Sequence, residues 1–102
     1  MSDPVFTALA DPTRRAILSL LRDGEQPAGV LVDRLALPQP NVSKQLKVLH
    51  AAGMVRVRVD GPRRLYSLDP APLAELDAWL ATYRPFWADK LAALGDHLSR
   101  SD

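Results

Sequence analysis

Cysteine is absent from all 102 residues. That excludes disulfides, a thiolate site for a metal or metalloid, and a cysteine nucleophile, and it leaves the redox compartment undecided. No apolar run approaches the roughly 20 residues that span a bilayer. Met1-Ser2-Asp3-Pro4 has neither the basic start nor the apolar stretch of a secretory signal. A cytoplasmic protein without a membrane partner is therefore expected. Internal repeats and low-complexity tracts are missing too. So are the arrangements that mark an enzyme: a nucleophile spaced to a base, a phosphate-cradling glycine loop, a working carboxylate pair. A non-enzymatic chain without a cofactor is expected, and its length suits one domain over residues 1–102.

What is present is unevenly distributed charge. The formal net charge is +1. Between residues 34 and 68, however, seven basic side chains (Arg34, Lys44, Lys47, Arg56, Arg58, Arg63, Arg64) face one acid, Asp60. From 69 to 102, three basic residues meet six acids. A basic middle with an acidic tail suits a protein that lays one face on a polyanion and keeps the other away. A lopsided solvated surface has the same signature, so charge alone does not decide.

The apolar spacing predicts a largely helical chain with one β-hairpin. Val5, Phe6 and Leu9 form a short stripe for a first helix over about 3–10. Asp11-Pro12 is an N-cap followed by proline at the first helical position; Ala16, Ile17, Leu20 and Leu21 then recur at helical spacing up to Gly24. After a break at Gln26-Pro27, Val30, Leu31 and Leu35 mark a third helix, and Ala36-Leu37-Pro38 is a tight connection. A fourth helix runs from about Gln39 to Ala52 and stops at Gly53. At 100° per residue, Leu46 and Leu49 lie within about 20–40° of Val42, one on either side of it. The opposite arc carries Gln39, Pro40, Ser43, Lys44 and Lys47, positive with no compensating acid. From Met54 to Val59 the period changes to two, Asp60-Gly61-Pro62 is a turn signal, and Arg64–Leu68 is the return strand. Asp69-Pro70 opens a long helical stretch, about 71–98, with Leu73, Leu76, Leu80, Tyr83, Trp87, Leu91, Leu94 and Leu98 every three to four residues. Pro85 has no amide for the carbonyl of residue 81 and should kink or split it. Two helices joined by a short turn and followed by a basic hairpin form the layout of a winged helix-turn-helix.

Three segments carry a family resemblance. Leu9-Ala10-Asp11-Pro12-Thr13-Arg14-Arg15-Ala16-Ile17-Leu18 resembles the opening signature of ArsR/SmtB-type repressors. The run from Asn41-Val42-Ser43-Lys44-Gln45-Leu46-Lys47 through Leu49-His50-Ala51-Ala52-Gly53-Met54-Val55 is similar to their recognition helix and its exit, and Gly61-Pro62-Arg63-Arg64-Leu65-Tyr66-Ser67-Leu68 to their wing. The match spans roughly residues 5 to 98, and the Trp79…Trp87-Ala88-Asp89-Lys90-Leu91 tail resembles a subgroup without a thiol metal site. The resemblance implies a sequence-specific repressor of transcription that binds double-stranded DNA as a homodimer.

In such a fold the second helix of the pair enters the major groove with its N-terminal end at base edges. Gln39 can pair with adenine, Ser43 is adaptable, Pro40 can touch a thymine methyl, and Asn41 lies beside them. Lys44, Lys47, Gln45 and His50 are placed for phosphates or the groove rim; Gln45 stands where many members of the family carry histidine. Arg63 and Arg64 at the hairpin tip can reach the minor groove or its phosphates. Arg56 and Arg58 suit the flank, as ordinary strand-face charge or as phosphate ligands. Thr13 and Arg14 can support a phosphate through the amides that open the second helix, while Arg15 suits a structural ion pair.

The terminal helices carry more apolar surface than a chain of this size can bury alone. Val5, Phe6, Leu9, Leu76, Trp79, Leu80, Tyr83, Trp87, Leu91 and Leu94 are the candidate dimer residues, and the family pairs these two helices across a two-fold axis. Packing within the chain's own domain is the alternative, and the Trp79–Trp87 aromatics can also be imagined lining a small-molecule pocket. Relatives sense metals through a cysteine pair beside the recognition helix or through Asp/His clusters on the last helix. The first is excluded here. For the second, Asp89, Asp96 and His97 are the candidates; Asp96 and His97, adjacent in sequence, diverge by about 100° on a helix, and no second histidine completes a tetrahedral set. No metal site is expected. Two other readings stay open: an effector-responsive sensor on the same scaffold, its effector unknown, and a winged-helix module for protein–protein assembly.

Overall fold

The computed structural model describes the backbone of residues 3–100 and the side chains of residues 3–95. Helix α1 (Asp3–Leu9) leads into α2 (Pro12–Leu20). The Asp11 carboxylate fixes the start of α2 by accepting from the amides of Thr13 (2.8 Å) and Arg14 (3.1 Å), with proline in the first turn where its missing N–H costs nothing. A 3-10 turn, Leu21–Asp23, ends at Gly24, whose φ of +133° requires a residue without a Cβ. Strand β1 (Gln26–Pro27) precedes α3 (Ala28–Leu35).

The turn from α3 to α4 is made by Ala36 in the left-handed region (φ 54°, ψ 40°), its amide bonded to the Val32 carbonyl at 3.0 Å. Helix-turn-helix turns often place glycine in such a connection, so this chain holds alanine at a cost of about 1 kcal/mol. Helix α4 covers Gln39–Ala51. It closes in a Schellman arrangement: the amides of Gly53 and Met54 bond to the carbonyls of His50 and Leu49, both at 3.0 Å, and Met54 and Leu49 are both buried. Strands β2 (Val55–Asp60) and β3 (Arg63–Leu68) form the hairpin, with Asp60 opposite Arg63 and only Gly61-Pro62 between them. Gly61 has φ +60° and the Pro62 ring fixes a negative φ, the sign order of a type II′ turn, which matches the twist of the strands.

The strands make a three-stranded antiparallel sheet in the order β1-β3-β2, with Gln26 opposite Tyr66 and Pro27 opposite Leu65. The sequence-based expectation of a simple break at Gln26-Pro27 is therefore corrected: these residues pair as an edge strand, the place in a sheet where proline is tolerated. The core joins Val5 and Ala8 of α1, Ile17, Leu21, Leu31, then Val42, Leu46 and Leu49 along one seam of α4, with Met54 just before the hairpin and Val55 at the start of β2. Each fully buried aliphatic side chain contributes roughly 1.5–3 kcal/mol relative to exposure. Among the described residues no buried side-chain nitrogen or oxygen lacks a partner.

The final stretch is split rather than kinked. Helix α5 (Pro70–Ala81) ends as the amides of Thr82 and Tyr83 fall back to the carbonyls of Trp79 and Leu80; α6 (Arg84–Arg100) then restarts with Pro85 in its first turn. The carbonyl of Ala81 has lost its amide partner at Pro85, and the chain resolves this by beginning a new helix where proline is welcome. Helix α5 buries none of its residues.

Candidate nucleic-acid interface

The α4 seam turns the other side of that helix outward. Gln39, Pro40, Asn41, Lys44 and Lys47 are exposed and Ser43 is half-buried. Gln39, Ser43 and Lys47 lie together on the flank toward the hairpin, where with Ala28, Pro62, Arg64 and Tyr66 they line a groove of about 500 Å³ floored by Leu46. A smaller concavity next to it brings His50 beside Lys47, Arg64 and Tyr66. No acidic side chain lines either hollow. The structure thus brings Gln39 and Ser43 of the base-reading candidates, together with Lys47 and one wing arginine, into a single basic groove, and leaves Pro40, Asn41 and Lys44 exposed outside its lining.

The hairpin sorts its four arginines by the two-residue period of the strands. Cross-strand partners share a face, so the register Val57–Tyr66 and Val59–Arg64 puts Arg64 on the same face as Tyr66, toward α4. Arg56, Arg58 and Arg63 belong to the opposite face, paired in register with Ser67, Leu65 and Asp60. Each of these three has an acidic partner. Arg56 Nε lies 3.5 Å from Asp69, Arg58 makes a two-pronged pair with Glu25 at 2.8 and 2.7 Å, and Arg63 lies 3.3 Å from Asp60. The Glu25 carboxylate raises the Arg58 pKa above its ordinary value, mainly through the hydrogen bond and then through its charge. Arg56 and Arg58, expected as solvated or phosphate-facing charge, are ion-paired. Sequence reasoning missed Tyr66 and Pro62 as groove residues, although the alternation Arg64, Tyr66 carried the signal for the first.

Thr13 and Arg14 do not offer the open amides expected of them, because Asp11 already occupies both. The Arg14 guanidinium is also engaged: Nε donates to the Ala8 carbonyl (2.9 Å), Nη2 to the Thr7 carbonyl (2.9 Å) and Nη1 to Gln45 Oε1 (2.7 Å). Gln45 is half-buried on the flank of α4 away from the wing, its oxygen turned to Arg14 of α2. Arg15, expected in an ion pair, donates instead to the Leu9 carbonyl at 2.7 Å.

The apolar face expected for dimer formation is largely exposed in the isolated chain. Phe6, Trp79, Leu80, Tyr83, Leu91 and Leu94 are all open to solvent, as is Phe86 at 75%. Their rings form a ladder: Phe6 meets Trp79 edge-on at 5.5 Å, Trp79 meets Tyr83 at 5.1 Å, and Tyr83 stacks on Trp87 at 6.3 Å. Leu9, Leu76 and Trp87 are half-buried. Val5 departs from the expectation. At 2% exposure it belongs to the chain's own core, because the turn of α1 that packs on the core carries Val5 and Ala8 and leaves Phe6 outside. Among the described residues no three His, Asp or Glu side chains gather as a metal site, and no helix is long and apolar enough to cross a membrane. The side chains of Asp96, His97 and Leu98 lie outside the described residues.

Residues 9–58 match the family model described as a helix-turn-helix domain. Over 74 residues, 72% of this chain and 69% of the relative, the chain is 47% identical to the HTH-type transcriptional regulator Rv2034 of Mycobacterium tuberculosis. It is 33% identical over 79 residues to the transcriptional repressor SdpR of Bacillus subtilis, covering 78% of this chain and 88% of that one. The backbone superposes on the crystal structure of an ArsR family transcriptional regulator, RHA00566, with a TM-score of 0.76 at 31% identity, over 84% of this chain and 94% of that one.

Proposed function

The chain belongs to the ArsR/SmtB family of winged helix-turn-helix transcriptional regulators, and on that footing we propose that it is a homodimeric repressor that grips an inverted-repeat operator in the cytoplasm. The observation that carries this is the acid-free groove shared by Gln39, Ser43 and Lys47 of α4 and by Arg64 of the wing. Helix α4 enters the major groove with Gln39, Pro40, Asn41 and Ser43 at the base edges. Lys44 and Lys47 hold phosphates at the rim, and Arg64 reaches the backbone or the adjacent minor groove. Arg63 joins it by exchanging Asp60 for a phosphate; both members of that pair are exposed, and such pairs contribute at most about 1 kcal/mol.

The dimer reading rests on the uncovered ladder of α1, α5 and α6. Two Trp, a Tyr and a Phe within nine residues are the anchors that dominate obligate interfaces. Doubling the chain across this face closes the apolar surface and sets two recognition helices about one DNA turn apart.

The test is operator affinity against salt. Six to eight phosphates held by the dimer give a log–log slope of roughly −5 to −7. A nearly flat response would contradict the proposal, and so would light scattering that finds a stable monomer at micromolar concentration. Failure to shift any duplex would favour the assembly-module alternative.

A further inference from the structure

Arg14 connects three elements. Its side chain is 14% exposed, and its guanidinium closes the open carbonyl end of α1 at Thr7 and Ala8 while gripping Gln45 on α4. The Asp11 carboxylate stands 4.0 Å away on the remaining side. On α1, Phe6 is the first ring of the ladder that continues to Trp79 of α5. One arginine thus links the helix proposed to meet the partner subunit with the helix proposed to read DNA.

The contact with Gln45 has a chemical consequence. A guanidinium donates and never accepts, so the oxygen of the Gln45 amide must be the atom that faces it. The Nε2 amino group is then turned to the other side of the amide and makes no hydrogen bond among the described residues. An unconstrained glutamine can offer donor and acceptor together and pair bidentately with adenine. With its oxygen turned to Arg14 by a charge-assisted bond, Gln45 presents its Nε2 donor on the other side and is not free to turn both groups to one adenine edge. Gln39, exposed and without such a partner, keeps both groups available.

We propose that Arg14 is a positioning residue for DNA recognition, fixing Gln45 as a hydrogen-bond donor toward an acceptor on the operator, either a phosphate oxygen or a base edge such as guanine O6 or thymine O4. The inference rests on the DNA-binding reading above and deepens it. On this reading Arg14 itself takes no phosphate, because three of its five N–H donors are already held by Thr7, Ala8 and Gln45 and its side chain is only 14% exposed.

The experiment measures affinity of the full-length protein for an operator recovered from a random duplex pool. Wild type is compared with Arg14→Met, Gln45→Met and the double variant at several salt concentrations. Each single variant is expected to weaken binding about tenfold to hundredfold, the effect of losing two net hydrogen bonds per dimer. The double variant should be no weaker than the worse single, since both break one chain of contacts. The salt slope should stay at the wild-type value throughout. Gln45→Met leaves the bonds from Arg14 to Thr7 and Ala8 in place, so its loss is read without a folding defect even where Arg14→Met lowers the melting temperature. A loss of equal size on every operator sequence identifies the acceptor as phosphate; a loss confined to one base pair identifies a base edge. The proposal is overturned if Gln45→Met binds as wild type does, if the two losses multiply, or if Arg14→Met reduces the salt slope by about 0.9 per protomer, which would make Arg14 a phosphate ligand. Wild type that binds no duplex at all would overturn the repressor reading as well, a result distinct from each of these.

Discussion

The two halves of the chain treat apolar surface in opposite ways. From Val5 to Leu65, every element except β1 contributes to a buried set: Ile17, Leu31, Leu46 and Leu49 are each fully enclosed. From Pro70 onward α5 buries nothing, and rings as large as Trp79 and Phe86 stay open to water. The winged-helix half holds the buried core, whereas the tail half leaves its apolar surface uncovered, as half an interface would on the proposed reading. Stability resides in the first, and partner choice, on the proposed reading, in the second.

The largest expected effect breaks the tail without touching the core. Trp79→Glu should separate the subunits and cost the operator roughly 10²–10⁴ in affinity through lost bivalency, with helix content by circular dichroism unchanged. A monomeric variant that still binds the full operator tightly would erase the contrast between the halves. Truncations of equal chemistry sharpen it further. Leu46→Ala should cost about 2–5 kcal/mol in denaturant unfolding at any protein concentration, whereas the penalty of Leu80→Ala should shrink on dilution, as the wild type also dissociates, because it acts through association.

Smaller effects divide the surface of the first half. Gln39→Ala should cost about 1–3 kcal/mol at one half-site position and relax the base preference there. The smallest contrast lies between two wing arginines. Arg64→Ala should lower the salt slope by about 0.9 per protomer, while Arg58→Ala, already paired with Glu25 on the opposite face, should leave it unchanged. Equal slopes for the two would mean that the faces of the hairpin are not distinguished by DNA.

Much of this was legible in the residues, where local rules decide. The α4 seam followed from helical period, the α2 start from the Asp11 carboxylate beside Pro12, and the hairpin from alternation ending at Gly61-Pro62. What escaped was set by distance along the chain or by shortness. Arg14 and Gln45 are 31 positions apart, and Arg58 and Glu25 are 33, so no local pattern announces either pair. Strand β1 has two residues, too few for any alternation, and one is a proline. Helix α1 is so short that Val5 and Phe6, both apolar neighbours, gave no rule for which one turns inward. Pro85 marked the place where the last helix must yield, but whether it bends or restarts depends on where the freed carbonyls find partners.

On the proposed reading, two copies of the α4–wing groove read DNA together. This is tested most directly by selecting duplexes from a random pool with the wild-type protein and sequencing what is retained. The expected product is an inverted repeat whose half-sites are centred about 10–10.5 base pairs apart. Enrichment of a single unrepeated half-site, or of no sequence at all, would contradict it.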